Sequence, residues 1–288
     1  MFAVTGVTGH VGGAAARELL AAGAPVRAIV RDPRMGREFA DRGAEVAVAD
    51  FTDPGGMAEA LAGCAAAFVM LPVVPGLDGA GHRVLAGSIA EAVESSGVPH
   101  VVVLSSVGAD LSEGTGPITW LHRLEERLRV SGATVTAIRS PHFQEKVEEV
   151  LEPAIHEGVY PVFGSSADVP IPMVATRDVG AAVARHLLEE PESSGVVGLE
   201  APAYTEREVA EHLAGLIGRP ALQVVLIPRE GWIEAMTGAG MSPLLAEELF
   251  GLYDAGEKGL LEPRGEDRRD RCETGIETTL RQVVPAVR

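Results

Sequence analysis

The chain has 288 residues, 41 acidic against 24 basic side chains for a formal charge of −17, and a hydrophobic share of 46%. This composition belongs to a globular protein and excludes a disordered or collagen-like chain, and the length suffices for one large α/β core with a smaller appendage. The charge repels nucleic acid and anionic membranes, so a phosphate-bearing partner has to be held by a local site; the two cysteines, Cys64 and Cys272, stand in no metal-type spacing.

In chain order, short β-branched runs alternate with longer amphipathic ones. Strands are predicted at residues 2–5, 25–30, 45–49, 66–71, 100–104 and 134–138, with helices at 11–22, 33–42, 56–62, 81–96 and 118–131. Several helices end in glycine (Gly23, Gly43, Gly63, Gly97, Gly132), which suits the left-handed closing residue. Repeated strand-helix units of this kind predict an α/β fold with a doubly wound, Rossmann-type parallel sheet. Phe2 to Thr5 already reads as a strand, which leaves no room for a secretory leader, and no window reaches the roughly 18 apolar residues of a membrane span. A cytoplasmic protein without membrane contact is expected.

After Pro141 the alternation loosens. A helical stretch at 143–156 precedes turn-like punctuation at 158–161, a strand at 169–174, a helix starting at Thr176 or Asp178 and running to Leu188, and a strand at 196–199. Thr205 and Glu208 form a capping-box pattern that opens a helix-rich tail, and the charged stretch 262–271, balanced in sign, reads as a solvated loop. The expected division is a dinucleotide-binding domain over residues 1–155, with later returns to the sheet near 169–200, and a smaller substrate-binding or lid region over 156–288. Trp232, Met236, Met241 and Leu244 of that region offer apolar lining, although such residues also serve simple packing.

The first strand leads into Gly6-Val7-Thr8-Gly9-His10-Val11-Gly12 and then a helix. In this place Gly6 permits the tight turn, Gly9 lets the backbone approach a pyrophosphate, Gly12 lets the helix pack on the strand, and the helix N-terminus faces the phosphates. Thr8, His10 and Val11 complete the candidate loop. The second strand ends in Arg31 where NAD-binding chains usually carry an acid, and a guanidinium there can hold a 2′-phosphate, which favours NADP(H) over NAD(H). The alternative is a surface cation paired with Asp32 or another neighbour. Asp50 and Phe51 follow the third strand where an adenine would lie; Phe51 also reads as a core aromatic at a strand-ending turn.

With these residues in view, the sequence resembles the NmrA-like group of atypical short-chain dehydrogenases, which includes NAD(P)H-dependent quinone reductases and isoflavone-reductase relatives. The resemblance is carried by the glycine loop, Ile29-Val30-Arg31, Ala49-Asp50, Val102-Val103-Leu104-Ser105-Ser106, Leu128-Arg129-Val130-Ser131-Gly132, Thr136-Ala137-Ile138-Arg139 and Thr176-Arg177-Asp178-Val179. It implies a nicotinamide dinucleotide bound by the glycine loop, Arg31, Asp50, Leu71-Pro72 and Ser105-Ser106. The substrate pocket would lie among the loops after Leu71, Ser106 and Pro141, with Val107, His142 and Phe143 at the substrate.

The sequence departs from ordinary short-chain dehydrogenases at the catalytic helix. Residues 117–128 contain neither the Tyr nor the Lys of Tyr-x-x-x-Lys. The family's lysine or histidine would fall at Leu121, and His122 is displaced by one residue, about 100° around the helix. The candidate proton donors are His122, Ser105 or Ser106, and His142, the last being a donor or only a polar wall. A quinone accepts hydride without a strongly positioned acid because its ring stabilises the product anion. The expected activity is therefore NADPH-dependent hydride transfer to a quinone or another small conjugated carbonyl compound, without a metal, by a monomer or homodimer. The alternative is a non-catalytic NADP(H)-binding redox sensor.

Overall fold

The computed structural model describes residues 1–284. The first half lays down β1 (Phe2–Val4), α1 (His10–Ala21), β2 (Val26–Val30), α2 (Arg37–Asp41), β3 (Glu45–Val48), α3 (Pro54–Leu61), β4 (Ala66–Val69), α4 (Gly79–Ser96), β5 (His100–Ser106), α5 (Ile118–Leu128) and β6 (Thr134–Ser140). There follow β7 (His142–Phe143), α6 (Leu151–His156), β8 (Val159–Phe163), β9 (Ile171–Val174), α7 (Thr176–Leu187), β10 (Gly195–Glu200), β11 (Ala203–Tyr204) and α8 (Glu206–Ile217). The tail adds β12 (Gln223–Ile227), α9 (Trp232–Gly238), α10 (Pro243–Glu257), β13 (Arg268–Arg271) and α11 (Ile276–Val283).

Eight strands pair in the order β13-β10-β6-β5-β4-β1-β2-β3, all of them parallel. Successive residues point to opposite faces, and both faces are covered. Ala3, Ala67, Val69, Val101 and Val103 join α3, α4 and α5 in one apolar layer, while Val4, Phe68 and Val102 join α1 and α7 in the other. This is a doubly wound Rossmann-type α/β fold. Two small sheets, β11-β9-β7 and β12-β8, sit beside it with their own apolar cluster around Leu151, Tyr160, Leu213 and Leu280.

Four segments differ from the sequence expectation. Residues 33–42 begin as a 3-10 turn, Pro33–Gly36, because Asp32 accepts from the Arg34 N–H and closes the chain early. Residues 143–156 split into β7, a 3-10 segment Gln144–Val150 and α6. Here Gln144 donates to Met173 O and Thr274 O, and Glu145 accepts from the Thr176 N–H and hydroxyl, so distant partners tie the segment down. The turn at 158–161 shrinks to Gly158, and Val159–Phe163 pairs in parallel with β12, where a two-stranded sheet tolerates the missing N–H of Pro161. The charged loop 262–271 ends in β13, an edge strand on β10 whose Asp270 accepts from His186 and Arg185 of α7. The expected lining residues Trp232 and Met236 are buried in a satellite cluster with Ala246, so they pack and do not face an opening, whereas Leu244 is exposed. Residues 285–288 of the expected substrate region lie outside the described residues.

Candidate functional site

The strand order reverses between β1 and β4, so the loops that follow them diverge and open a crevice at the carboxyl edge of the sheet. The glycine loop forms one wall. Gly6 has φ +63°, and a Cβ there would lie 2.7 Å from Met70 Sδ across the crevice. At Gly12 a Cβ would fall 2.4 Å from Gly6 O and 2.5 Å from Thr5 O, so only glycine lets α1 approach β1 this closely. No side chain caps α1 and no acid stands in its first turn. The N–H groups of His10, Val11 and Gly12 take no bond among the described residues. By contrast, α3, α4, α8 and α10 are capped by Asp53, Asp78, Thr205 and Ser242. An uncapped, acid-free helix start is a ready anion site.

The exposed Thr8 and His10 border this start, and His10 Nε2 stands 3.5 Å from Glu148 Oε2 on the 3-10 segment. The Val11 side chain is buried in the core, leaving its N–H as the group it offers. Arg31 is exposed at the end of β2 and pairs with no acid among the described residues. Asp32 is taken by Arg34, with Nη2 to Oδ2 at 2.5 Å and Nε to Oδ1 at 3.0 Å, and this guanidinium holds the Asp32 carboxyl below its ordinary range. The Asp50 carboxyl is held low by the Thr52 hydroxyl at 2.6 Å and the Thr52 N–H at 2.8 Å, with the field of Arg31 adding to them. Phe51 is half-buried, packs on the apolar layer below and accepts from Ser88 through its carbonyl.

On the other side of the crevice, Leu71 is buried and Pro72 half-buried after β4. Ser105 is already engaged. Only 3% exposed, it donates its hydroxyl to Glu125 Oε1 at 2.5 Å. Glu125 in turn accepts from Arg139 at 2.9 Å and Arg129 at 3.1 Å, and Arg139 donates onward to Arg264 O at 3.0 Å. Ser106 donates to Val107 O, and Val107 is buried with its N–H on Ser140 O. His122 is likewise engaged: Nδ1–H donates to Ala109 O at 2.8 Å and Nε2 faces Glu126 at 3.4 Å, so the ring fastens the loop after β5 to α5.

His142 also stands exposed at this edge. It makes no hydrogen bond among the described residues, and the protein packed around it, with Lys146 adding its charge, holds its pKa down to about 4. The ring is therefore neutral at pH 7. Phe143 beside it is half-buried. Sequence reasoning missed Met70, whose sulfur covers the Gly6 turn, as well as Glu148 against His10 and Lys146 paired with Glu149. The position of Met70, one residue before Leu71 at a strand end, was the available signal.

Residues 6–191 match a family model described as NAD(P)H-binding. The chain belongs to this NAD(P)H-binding family. The match begins at the first glycine of the loop and runs past the end of α7. The chain is 27% identical over 254 residues to the NAD(P)H azoreductase of Xenophilus azovorans, covering 88% of this chain and 86% of that one. Its fold is shared with the triphenylmethane reductase of Citrobacter sp., at TM-score 0.80 and 22% identity over 99% of both chains. It is shared equally with the NADPH-dependent quinone oxidoreductase of Escherichia coli complexed with NADPH, at TM-score 0.79 and 24% identity over 99% of this chain and 100% of that one. These likenesses show a shared Rossmann-type fold over nearly the whole chain. Among the described residues no helix is long and apolar enough to cross a membrane.

Proposed function

We propose that this NAD(P)H-binding protein is an oxidoreductase of the atypical short-chain dehydrogenase type that uses NADPH in preference to NADH and reduces a quinone or another small conjugated carbonyl compound. The observation that carries the cofactor reading is the unpaired Arg31 guanidinium beside the uncapped start of α1. The N–H groups of the glycine loop would hold the pyrophosphate, Arg31 the 2′-phosphate, and Asp50 with Phe51 the adenosine end. Leu71, Pro72 and the Ser105-Ser106 backbone would border the nicotinamide, with His142 and Phe143 on the substrate side and the described part of the region after residue 155 contributing the cover. When bound, NADPH supplies the hydride equivalent.

The chain's own residues then have little acid chemistry to do. Ser105 and His122 are committed to neighbours and His142 is neutral, so the fitting acceptor is one whose reduced anion is stable enough to take its proton from water. The names of the relatives, an azoreductase, a triphenylmethane reductase and a quinone oxidoreductase, support a conjugated acceptor of this kind. The same commitment of both donors is what favours a non-catalytic NADP(H) sensor as the second reading. Titration with NADPH and NADH, followed by NADPH oxidation against a panel of quinones, separates the two. Turnover with any acceptor supports the enzyme, whereas tight NADPH binding with no oxidation by any of them supports the sensor.

A further inference from the structure

His82 of α4 is 0% exposed and has no part in the site as described so far. Its Nδ1 lies 2.9 Å from Asp78 O, which can only accept, so Nδ1 carries the proton. Nε2 is thereby left to accept, and Val74 donates its N–H to it at 3.0 Å. Two backbone groups thus fix one neutral tautomer. The ring stacks on Trp120 of α5, with centroids 3.8 Å apart and planes 6° from parallel. Glu248 of α10 arrives at the same place: a Cβ on Gly79 would lie 2.3 Å from Glu248 Oε1 and 3.3 Å from Trp120 Nε1.

The loop between β4 and α4 is therefore tied through one imidazole to α4 and α5, with Glu248 of α10 close to Gly79 at the same place. That loop carries Leu71, which is buried in the core, and Pro72; beyond them Val73 is 54% exposed and Val74 only partly buried. Among the described residues, the His82–Val74 bond is the one side-chain hydrogen bond to the backbone of residues 71–77.

We infer that His82 is a positioning residue for the nicotinamide end of the cofactor, acting through Val74 to fix Leu71 and Pro72. The inference rests on the cofactor reading above. Its chemistry is specific to the acceptor nitrogen: His82→Phe keeps the burial and the stack on Trp120 but removes both hydrogen bonds, and His82→Gln restores an acceptor for the Val74 N–H.

The test compares three proteins by amide exchange at Val74, by NADPH dissociation constant and by kcat and KM for NADPH oxidation. In His82→Phe, exchange at Val74 should rise, NADPH affinity or kcat should fall about tenfold, and the KM for the acceptor should change less. His82→Gln should recover most of the loss. A His82→Asn variant, whose amide N–H can stand where Nδ1 does but whose oxygen is too short to reach the Val74 N–H, should match His82→Phe and serves if the latter does not fold. Faster Val74 exchange with unchanged cofactor affinity and kcat would overturn the inference alone. Failure of the wild type to bind NADPH overturns the cofactor reading, and the inference falls with it.

Discussion

On the β1 and β2 side of the carboxyl edge, Arg31 has no ion-pair partner among the described residues and the first N–H groups of α1 are uncapped. On the β5 and β6 side, Ser105, Glu125, Arg139 and His122 are all engaged, most of them buried. The difference separates two uses of polar groups. A protein satisfies internally the groups that hold its structure, because an unpaired buried charge is expensive, and it leaves unsatisfied at the surface those that await a ligand. The sequence marks both sides as candidate site, since both lie at strand ends. Geometry separates them: the groups on one side are engaged with one another and those on the other are left open, which suits the binding role proposed above.

The comparison is broken most severely at Glu125. Glu125→Ala leaves Arg139 buried without its carboxylate, and the expected loss is about 3–5 kcal/mol of unfolding free energy, read by chemical denaturation. Arg31→Ala should do the reverse: stability stays within experimental error, while NADPH affinity falls roughly tenfold to a hundredfold and NADH affinity hardly moves. Equal weakening of both cofactors would remove the 2′-phosphate from Arg31. Ser105→Ala sharpens the division between the two sides. It should cost about 1 kcal/mol in stability, since Glu125 keeps its arginine partners, and leave the rate of NADPH oxidation close to wild type. A loss of kcat by orders of magnitude in a folded Ser105→Ala protein would return Ser105 to the catalytic role.

The sheet was legible because its central strands are buried on both faces and so read as unbroken apolar runs, Ala66 to Val69 and Val101 to Val103. β13 was not, since Arg268-Arg269-Asp270-Arg271 has no apolar signal. What recruits it is pairing with His186 and Arg185, more than eighty residues earlier in the chain. The site divides in the same way. Arg31 was readable from its place after the second strand, but whether it is free depends on which arginine Asp32 selects, a choice of side-chain geometry between close neighbours. The engagement of Ser105 depends on Glu125 facing inward on a helix twenty residues away, and no local pattern reveals that.

The smallest expected effect concerns His142, which stands between the two sides as an exposed group held in its neutral form. Its pKa is lowered from 6.5 to about 4, so between those values the unfolded chain binds a proton that the folded chain does not. Stability must then rise with pH across that window and fall as the medium is acidified through it. Solvent exposure of the ring screens the effect, so the slope should be shallow. His142→Gln removes the ionisation and should flatten the slope between pH 4 and 6.5 in denaturation measurements. The same shift requires that the ring contribute no inflection to kcat/KM between pH 6 and 8, where an unperturbed imidazole would titrate. An inflection there that disappears in His142→Gln would mean that the histidine ionises near neutrality after all, and it would turn the polar wall into a proton donor.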